Sequence, residues 1–187
     1  MTGEFLHFAF NDEQEMMRDT VRRFLAAACP ETLVRSVLEG RTAFAAELWR
    51  GMAELGLLGI TIAEEQGGAG MGAVEQCILA EEMGRVLAPV PSVSTLYLAP
   101  ELLRMAGSEE QQAKWLPPIA AGEMVCAIAT IDVADNPCVV AGGKLSGQKM
   151  LVADAMLADL IIVEADGSLY IADCRGAEVR AAAGNRA

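Results

Sequence analysis

Four glycines fall within ten residues in "AEEQGGAGMG", positions 63–72, directly after the apolar stretch "LGLLGITI". A glycine-rich loop leading into a helix is a common seat for a nucleotide phosphate, which backbone N–H groups hold. That chemistry needs more than glycine. A Walker loop carries Lys and then Ser or Thr after its last glycine, whereas Gly72 is followed by Ala73 and Val74. A dinucleotide fingerprint needs the G-x-G-x-x-G spacing inside a strand–helix–strand unit. Here the glycines stand at 67, 68, 70 and 72, with no such unit around them. The stretch reads as a tight turn that uses positive φ to start a helix close against the preceding segment.

Other chemistry-bearing residues are sparse. Paired carboxylates at 64–65, 81–82 and 109–110 have the composition of acid–base groups. Neighbours on a helix point about 100° apart, however, so they form no dyad. Glu81 and Glu82 lie centrally in an apolar helix, which predicts that one is partly buried against an arginine such as Arg85 or Arg104. The single histidine, His7, is too few for a zinc site or a credible serine triad. Cys29, Cys77, Cys126, Cys138 and Cys174 never fall in CxxC spacing and read as buried thiols in a reducing compartment. Trp49 and Trp115 sit at helical spacing among apolar residues and read as core.

The elements that must position these residues are helical first. Asn11 followed by Gln14 predicts a capping box, and Met17, Val21, Phe24 or Leu25, and Ala28 recur at helical spacing up to Pro30. A short helix over 31–38 follows. A third is expected with Thr42 as its cap and Phe44, Leu48, Met52 and Leu55 on one face. "AVEQCILAEEMGRVL" carries the fourth. Ser92 or Ser94 is the expected cap of the fifth, and Ser108 with Gln111 caps the sixth, which Pro117–Pro118 is expected to end. Near Gly122 the character changes. "VCAIATI", "KLSGQKMLVA", "ADLIIVEA" and "SLYIADC" are short, β-rich and separated by "GG", "SG" and "DG" turns. The fold class is therefore α+β: an all-helical domain over 1–121, then an incomplete antiparallel β-barrel-like domain over 122–187. The last dozen residues close no pattern.

Hydrophobic residues make up 53% of the 187, and the formal net charge is −12. That balance, without any Lys/Arg cluster, argues against nucleic acid and anionic membrane as partners. A cytoplasmic protein is expected, since the N-terminus lacks a basic leader and no run approaches the roughly 20 apolar residues of a bilayer span.

Three stretches together resemble the acyl-CoA dehydrogenase family. "LWRGMAELGLLGITIAEEQGGAGMGAVEQCILAEEMGRVLAP" is similar to its N-terminal helical domain. "AGSEEQQAKWLPPIAAGEMVCAIA" looks like the segment leading into its β-domain, and "LSGQKMLVADAMLADLIIVEA" like the β-domain itself. The resemblance runs in order over about residues 10–175. It implies a subunit of helical domain, β-domain and C-terminal helical bundle, with FAD between the last two. It also implies an acyl-CoA substrate whose α-proton is removed by a glutamate of the bundle, while hydride passes from the β-carbon to the flavin. An electron-transfer flavoprotein or similar acceptor and a homo- or hetero-oligomer follow from the same likeness. On this pattern the chain stops before the β-domain is complete and lacks the bundle, so no catalytic residue is assigned.

The matched positions depart from the family at the flavin. The threonine whose hydroxyl meets the pyrimidine edge corresponds to Ile131, with Thr130 and Asp132 beside it; Thr130 is expected on the opposite side of the strand. The tryptophan–isoleucine–threonine flanking the isoalloxazine corresponds to Leu151, Val152 and Ala153. The proline of the loop motif is Ala63. Strands over 127–132 and 151–154 are expected to line FAD, and Ser94, Leu98 and Leu102 to form the acyl-chain wall. An alternative implied by these departures is a flavin-less, non-catalytic structural subunit that pairs with a catalytic acyl-CoA dehydrogenase.

Overall fold

The computed structural model describes residues 9–175; His7 and the closing dozen residues lie outside the described residues. Six α-helices precede seven strands. Helix α1 (Asp12–Ala28) starts at Asn11, whose side chain accepts from Gln14 N–H while the Gln14 side chain accepts from Asn11 N–H. The capping box is thus the one the spacing predicts. Val21 and Leu25 turn inward. Helix α2 (Glu31–Leu38) follows Pro30, and α3 (Ala46–Glu54) ends where Gly56 takes a left-handed φ of 71°. Helix α4 (Ala73–Arg85) rises from the glycine-rich loop. A π-helical turn at Val93–Leu98 runs into α5 (Ala99–Ala106), and α6 (Glu109–Ala120) completes the helical part.

Three helix ends differ from expectation. Thr42 caps nothing: α3 begins four residues later, and Thr42 instead closes the preceding turn against Ser36. Neither Ser92 nor Ser94 caps the fifth helical segment, because Ser92 is itself helical and the chain enters through the π-helical turn. Pro117 and Pro118 lie inside α6 rather than ending it. The carbonyls that two prolines leave without helical partners belong to Ala113 and Lys114, which are exposed to solvent. Meanwhile Trp115, Leu116, Ile119 and Ala120 are buried, so packing carries the helix onward.

Strands β1 (Cys126–Ala129), β6 (Leu160–Ala165) and β7 (Ser168–Asp173) form one sheet in the order β1-β6-β7. β2 (Ile131–Asp132) pairs with β5 (Lys149–Met150), and β3 (Val139–Ala141) with β4 (Lys144–Ser146). All pairings are antiparallel except β1 with β6, which is parallel. The described residues contain these partial sheets and no closed barrel. The architecture is α+β, helices first.

One apolar cluster fills the helical part around Leu25, Leu48, Trp49, Met52 and Leu79. A second joins the two parts, running from Ala99, Leu103, Trp115 and Ile119 to Cys126, Leu160 and Ile162. Both tryptophans are core residues. Cys29, Cys126 and Cys138 are buried free thiols, but Cys77 is exposed on α4, on the same outward face as exposed Val74 and Glu81 and opposite buried Ile78 and Leu79. Burial pushes the Cys126 thiol up to about 12. A thiol reagent is therefore expected to modify Cys77 first and partly buried Cys174 later. The three buried thiols should react only on unfolding; a native preparation with several equally fast thiols would contradict this packing.

Candidate functional site

The glycine-rich loop is a turn. Gly67 and Gly70 adopt φ of 81° and 60°. Its N–H groups are bonded to the chain itself: Gly68 to Ala63 O, Ala69 to Gly59 O, Gly70 to Ile62 O and Met71 to Ile60 O, at 2.8–3.1 Å. Donors so engaged are not aimed at a phosphate. Gly72 N–H donates to Glu75 Oε2, a cap internal to the following helix.

Of the central carboxylate pair, Glu82 is buried, at 1% exposure, and Glu81 faces solvent. Arg22 donates to both Glu82 oxygens at 3.0 and 2.7 Å, Arg18 lies at 3.3 Å and Arg85 at 3.2 Å. The expected arginine partner Arg85 is present, whereas Arg104 pairs with Glu101. The main partners come from α1, which no local spacing reveals. The cluster joins α1 to α4 and has no carboxylate dyad to do acid–base work.

The two stretches matched to a flavin wall approach each other at one end only. β2 and β5 pair with Ile131 opposite Met150 and Asp132 opposite Lys149, a register that sets Thr130 nearest Leu151 and runs Val152 and Ala153 away from Ile131 and Asp132. Neither stretch is the continuous strand expected. Residues 126–132 break at Thr130, and the chain leaves the sheet at Leu151, where φ is 55°, with Asp154 also left-handed at 57°. Leu151 is 84% exposed, and Ile131 and Met150 are exposed beside it. Thr130 and Ala153 are exposed as well. Asp132 is engaged elsewhere: Lys149 Nζ lies 2.8 Å from its Oδ1, and Cys138 N–H donates to it. The Lys149 hydrogen bond, then that of Cys138, holds the Asp132 carboxyl below its usual range.

Lys149, 8% exposed, also reaches Glu164 Oε2 on β6 at 3.4 Å, so one ammonium ties the β2·β5 ribbon to the main sheet. Replacing it, as Lys149→Met, leaves both carboxylates without their cation. Exchange of the Ile131 and Met150 amides is expected to accelerate about tenfold while α4 amides keep their rates. Unchanged ribbon exchange would show that strand pairing alone holds it.

The acyl-wall trio divides. Ser94 is buried, Leu98 is 44% exposed, and Leu102 packs partly against the second core cluster. An α-helix would stack residues four apart on one face. The π-helical turn is wider, so Leu98 rotates out while Ser94 stays inside. Tyr97, just before Leu98 in that turn, has a buried hydroxyl with no hydrogen-bond partner among the described residues, and burial raises it to about 12. Two hollows lie away from both features. One of about 350 Å³ lies between α1 and the glycine-rich loop, lined by Met16, Met17, Leu55, Leu57, Ile60 and Met71. Another of about 410 Å³ lies between that loop, α5 and α6.

Residues 11–123 match the family model described as acyl-CoA dehydrogenase, N-terminal domain. The chain belongs to the acyl-CoA dehydrogenase family. It is 33% identical over 125 residues to an acryloyl-CoA reductase (NADH) of Anaerotignum propionicum, covering 66% of this chain and 31% of that one. It is 31% identical over 172 residues to the mitochondrial isovaleryl-CoA dehydrogenase of Solanum tuberosum, covering 83% and 41%. Among solved structures, an acyl-CoA dehydrogenase complexed with FAD from Bacillus anthracis superposes with a TM-score of 0.77 at 27% identity, covering 88% and 31%. This family member thus spans less than half the length of these relatives. Within the family frame, the exposed surface of the ribbon and the π-helical turn are the two features that sequence motifs matched. Thr95, Lys149 and the Arg22–Glu82 pair were missed, because their partners lie far away along the chain.

Proposed function

We propose that this chain forms part of an acyl-CoA dehydrogenase that oxidises an acyl-CoA thioester across its α and β carbons with FAD. What carries the reading is the pairing of Ile131–Asp132 with Lys149–Met150, which sets Thr130 and Leu151 at the end of one exposed ribbon within a member of this family. The ribbon fits the flat face of a flavin through Ile131, Met150 and Leu151, which are apolar and open. Thr130 supplies one side-chain hydroxyl for its polar edge. FAD, when bound, accepts the hydride; the ribbon's part is to cover the ring and exclude water. Leu98 faces the acyl chain, and Ser94 backs it from inside the turn. The oxidised product and reduced flavin call for an electron acceptor of the electron-transfer flavoprotein class.

One observation favours a second reading, a structural subunit that holds no flavin of its own. Asp132 and Lys149 are bonded to each other, so neither is available to a cofactor, and each lost hydroxyl removes about 0.5–1.5 kcal/mol of binding. Such a chain would serve a catalytic subunit in a hetero-oligomer.

Titration of FAD into the purified chain, alone and co-expressed with an acyl-CoA dehydrogenase subunit, separates the two. A flavin spectrum quenched by Ile131→Asp, with acyl-CoA-dependent bleaching in the complex, supports the first. A colourless chain that raises its partner's activity supports the second. A chain that binds neither flavin nor acyl-CoA nor any such subunit defeats both.

A further inference from the structure

Thr95 sits inside the π-helical turn, between Ser94 and Leu98, and is fully buried. Its hydroxyl oxygen accepts from Cys126 N–H at 2.9 Å and donates to Cys126 C=O at 3.2 Å. Cys126 opens β1, which among the described residues is an edge strand paired with β6 alone. The hydroxyl therefore takes the place of a further strand at that point, satisfying both backbone groups on the outer side. Cys126 is itself fully buried, so water offers no substitute. The turn that presents Thr95 is held in turn by Gln76, whose side-chain amide donates to Leu96 O at 3.1 Å.

The position is unusual for what lies on either side. One residue before and three after Thr95 stand Ser94 and Leu98. Four to six residues beyond Cys126 stand Thr130, Ile131 and Asp132. Apolar contact also joins the helical and β parts through Trp115, Ile119, Leu160 and Ile162, but it is non-directional. The hydroxyl bonds are directional and specify one register.

We propose that Thr95 is a positioning residue: its two hydrogen bonds fix β1, the strand that leads into the flavin-facing ribbon, relative to the acyl-facing turn, so that the β1-β6-β7 sheet and the turn move as one body. The roles of those two surfaces rest on the function proposed above; the coupling between them does not.

Residual dipolar couplings on the nitrogen-15-labelled 187-residue chain test this directly. In the unmodified chain one alignment tensor should describe amides of α1, α4, β6 and β7 together. Thr95→Val keeps the shape and removes the hydroxyl; it should split the data into two tensors and speed Cys126 amide exchange at least about tenfold. Thr95→Ser keeps the hydroxyl and should restore the single tensor, a rescue that a purely packing role would not produce. Two tensors in the unmodified chain, two in Thr95→Ser, or one unchanged tensor in Thr95→Val each overturn the proposal. If Thr95→Val does not fold, the unmodified chain and Thr95→Ser still decide it. Failure to bind FAD with the tensors behaving as expected sinks the functional reading and leaves the coupling standing.

Discussion

Glu82→Ala is expected to destabilise the protein by about 2–3 kcal/mol. Removing the one carboxylate leaves Arg22, Arg18 and Arg85 converging on an empty, desolvated place between α1 and α4. Breaking a fully buried pair costs about 3–5 kcal/mol, but these guanidiniums are partly solvated and can turn outward, which sets the lower figure. Glu82→Gln retains the volume and one acceptor oxygen and should lose less.

The same contacts give stability a pH dependence of known sign. The Arg22 hydrogen bond is the main cause holding the Glu82 carboxyl below its ordinary range; burial opposes it, and Arg18 and Arg85 add to it. A carboxyl lowered in the folded state binds its proton more readily when unfolded. Its contribution is thus complete above the unfolded value of about 4.3 and disappears as pH falls through the lower folded value. Denaturant titrations from pH 7 to pH 3 should show the unmodified chain losing this increment while Glu82→Gln loses none of it. Parallel curves for the two would remove Glu82 from the account of acid lability.

Gly68→Ala should cost about 3 kcal/mol or more, at the upper end of overpacking losses. A β-carbon there would lie 2.1 Å from Ile62 O and 2.6 Å from Gly59 O, both backbone atoms that cannot swing aside. Those carbonyls accept from Gly70 and Ala69, so displacing them also opens the bonds that close the loop. Gly67→Ala makes the comparison sharp. Gly67 has φ of 81° and open space around it, so alanine meets only the left-handed penalty of about 1–2 kcal/mol. Equilibrium denaturation of both variants measures the difference. A Gly67→Ala loss exceeding that of Gly68→Ala would mean that the loop is held by conformation rather than by close backbone approach.

The order of elements and the character of each were legible from the residues alone. Asn11 with Gln14 and Ser108 with Gln111 cap helices as their spacing requires, because a capping box is local and complete within four residues. The glycine-rich loop was legible as a turn from its missing Lys and Ser/Thr, and family membership from segments matching in order. Helix ends set by competition were less legible: Thr42, Ser92 and Pro117–Pro118 each carry a local signal that burial of neighbouring residues overrides.

Which residues share a place emerged only once the chain was folded. That Glu82 meets Arg22, that Lys149 joins Asp132 to Glu164, and that Thr95 completes the edge of β1 depends on groups 15–60 or more residues apart. Side-chain periodicity reports which face of an element turns inward, but not what that face will find there. The π-helical turn adds a second reason. It shifts the phase within one helical segment, so Ser94 and Leu98, four residues apart, end on different sides of the surface.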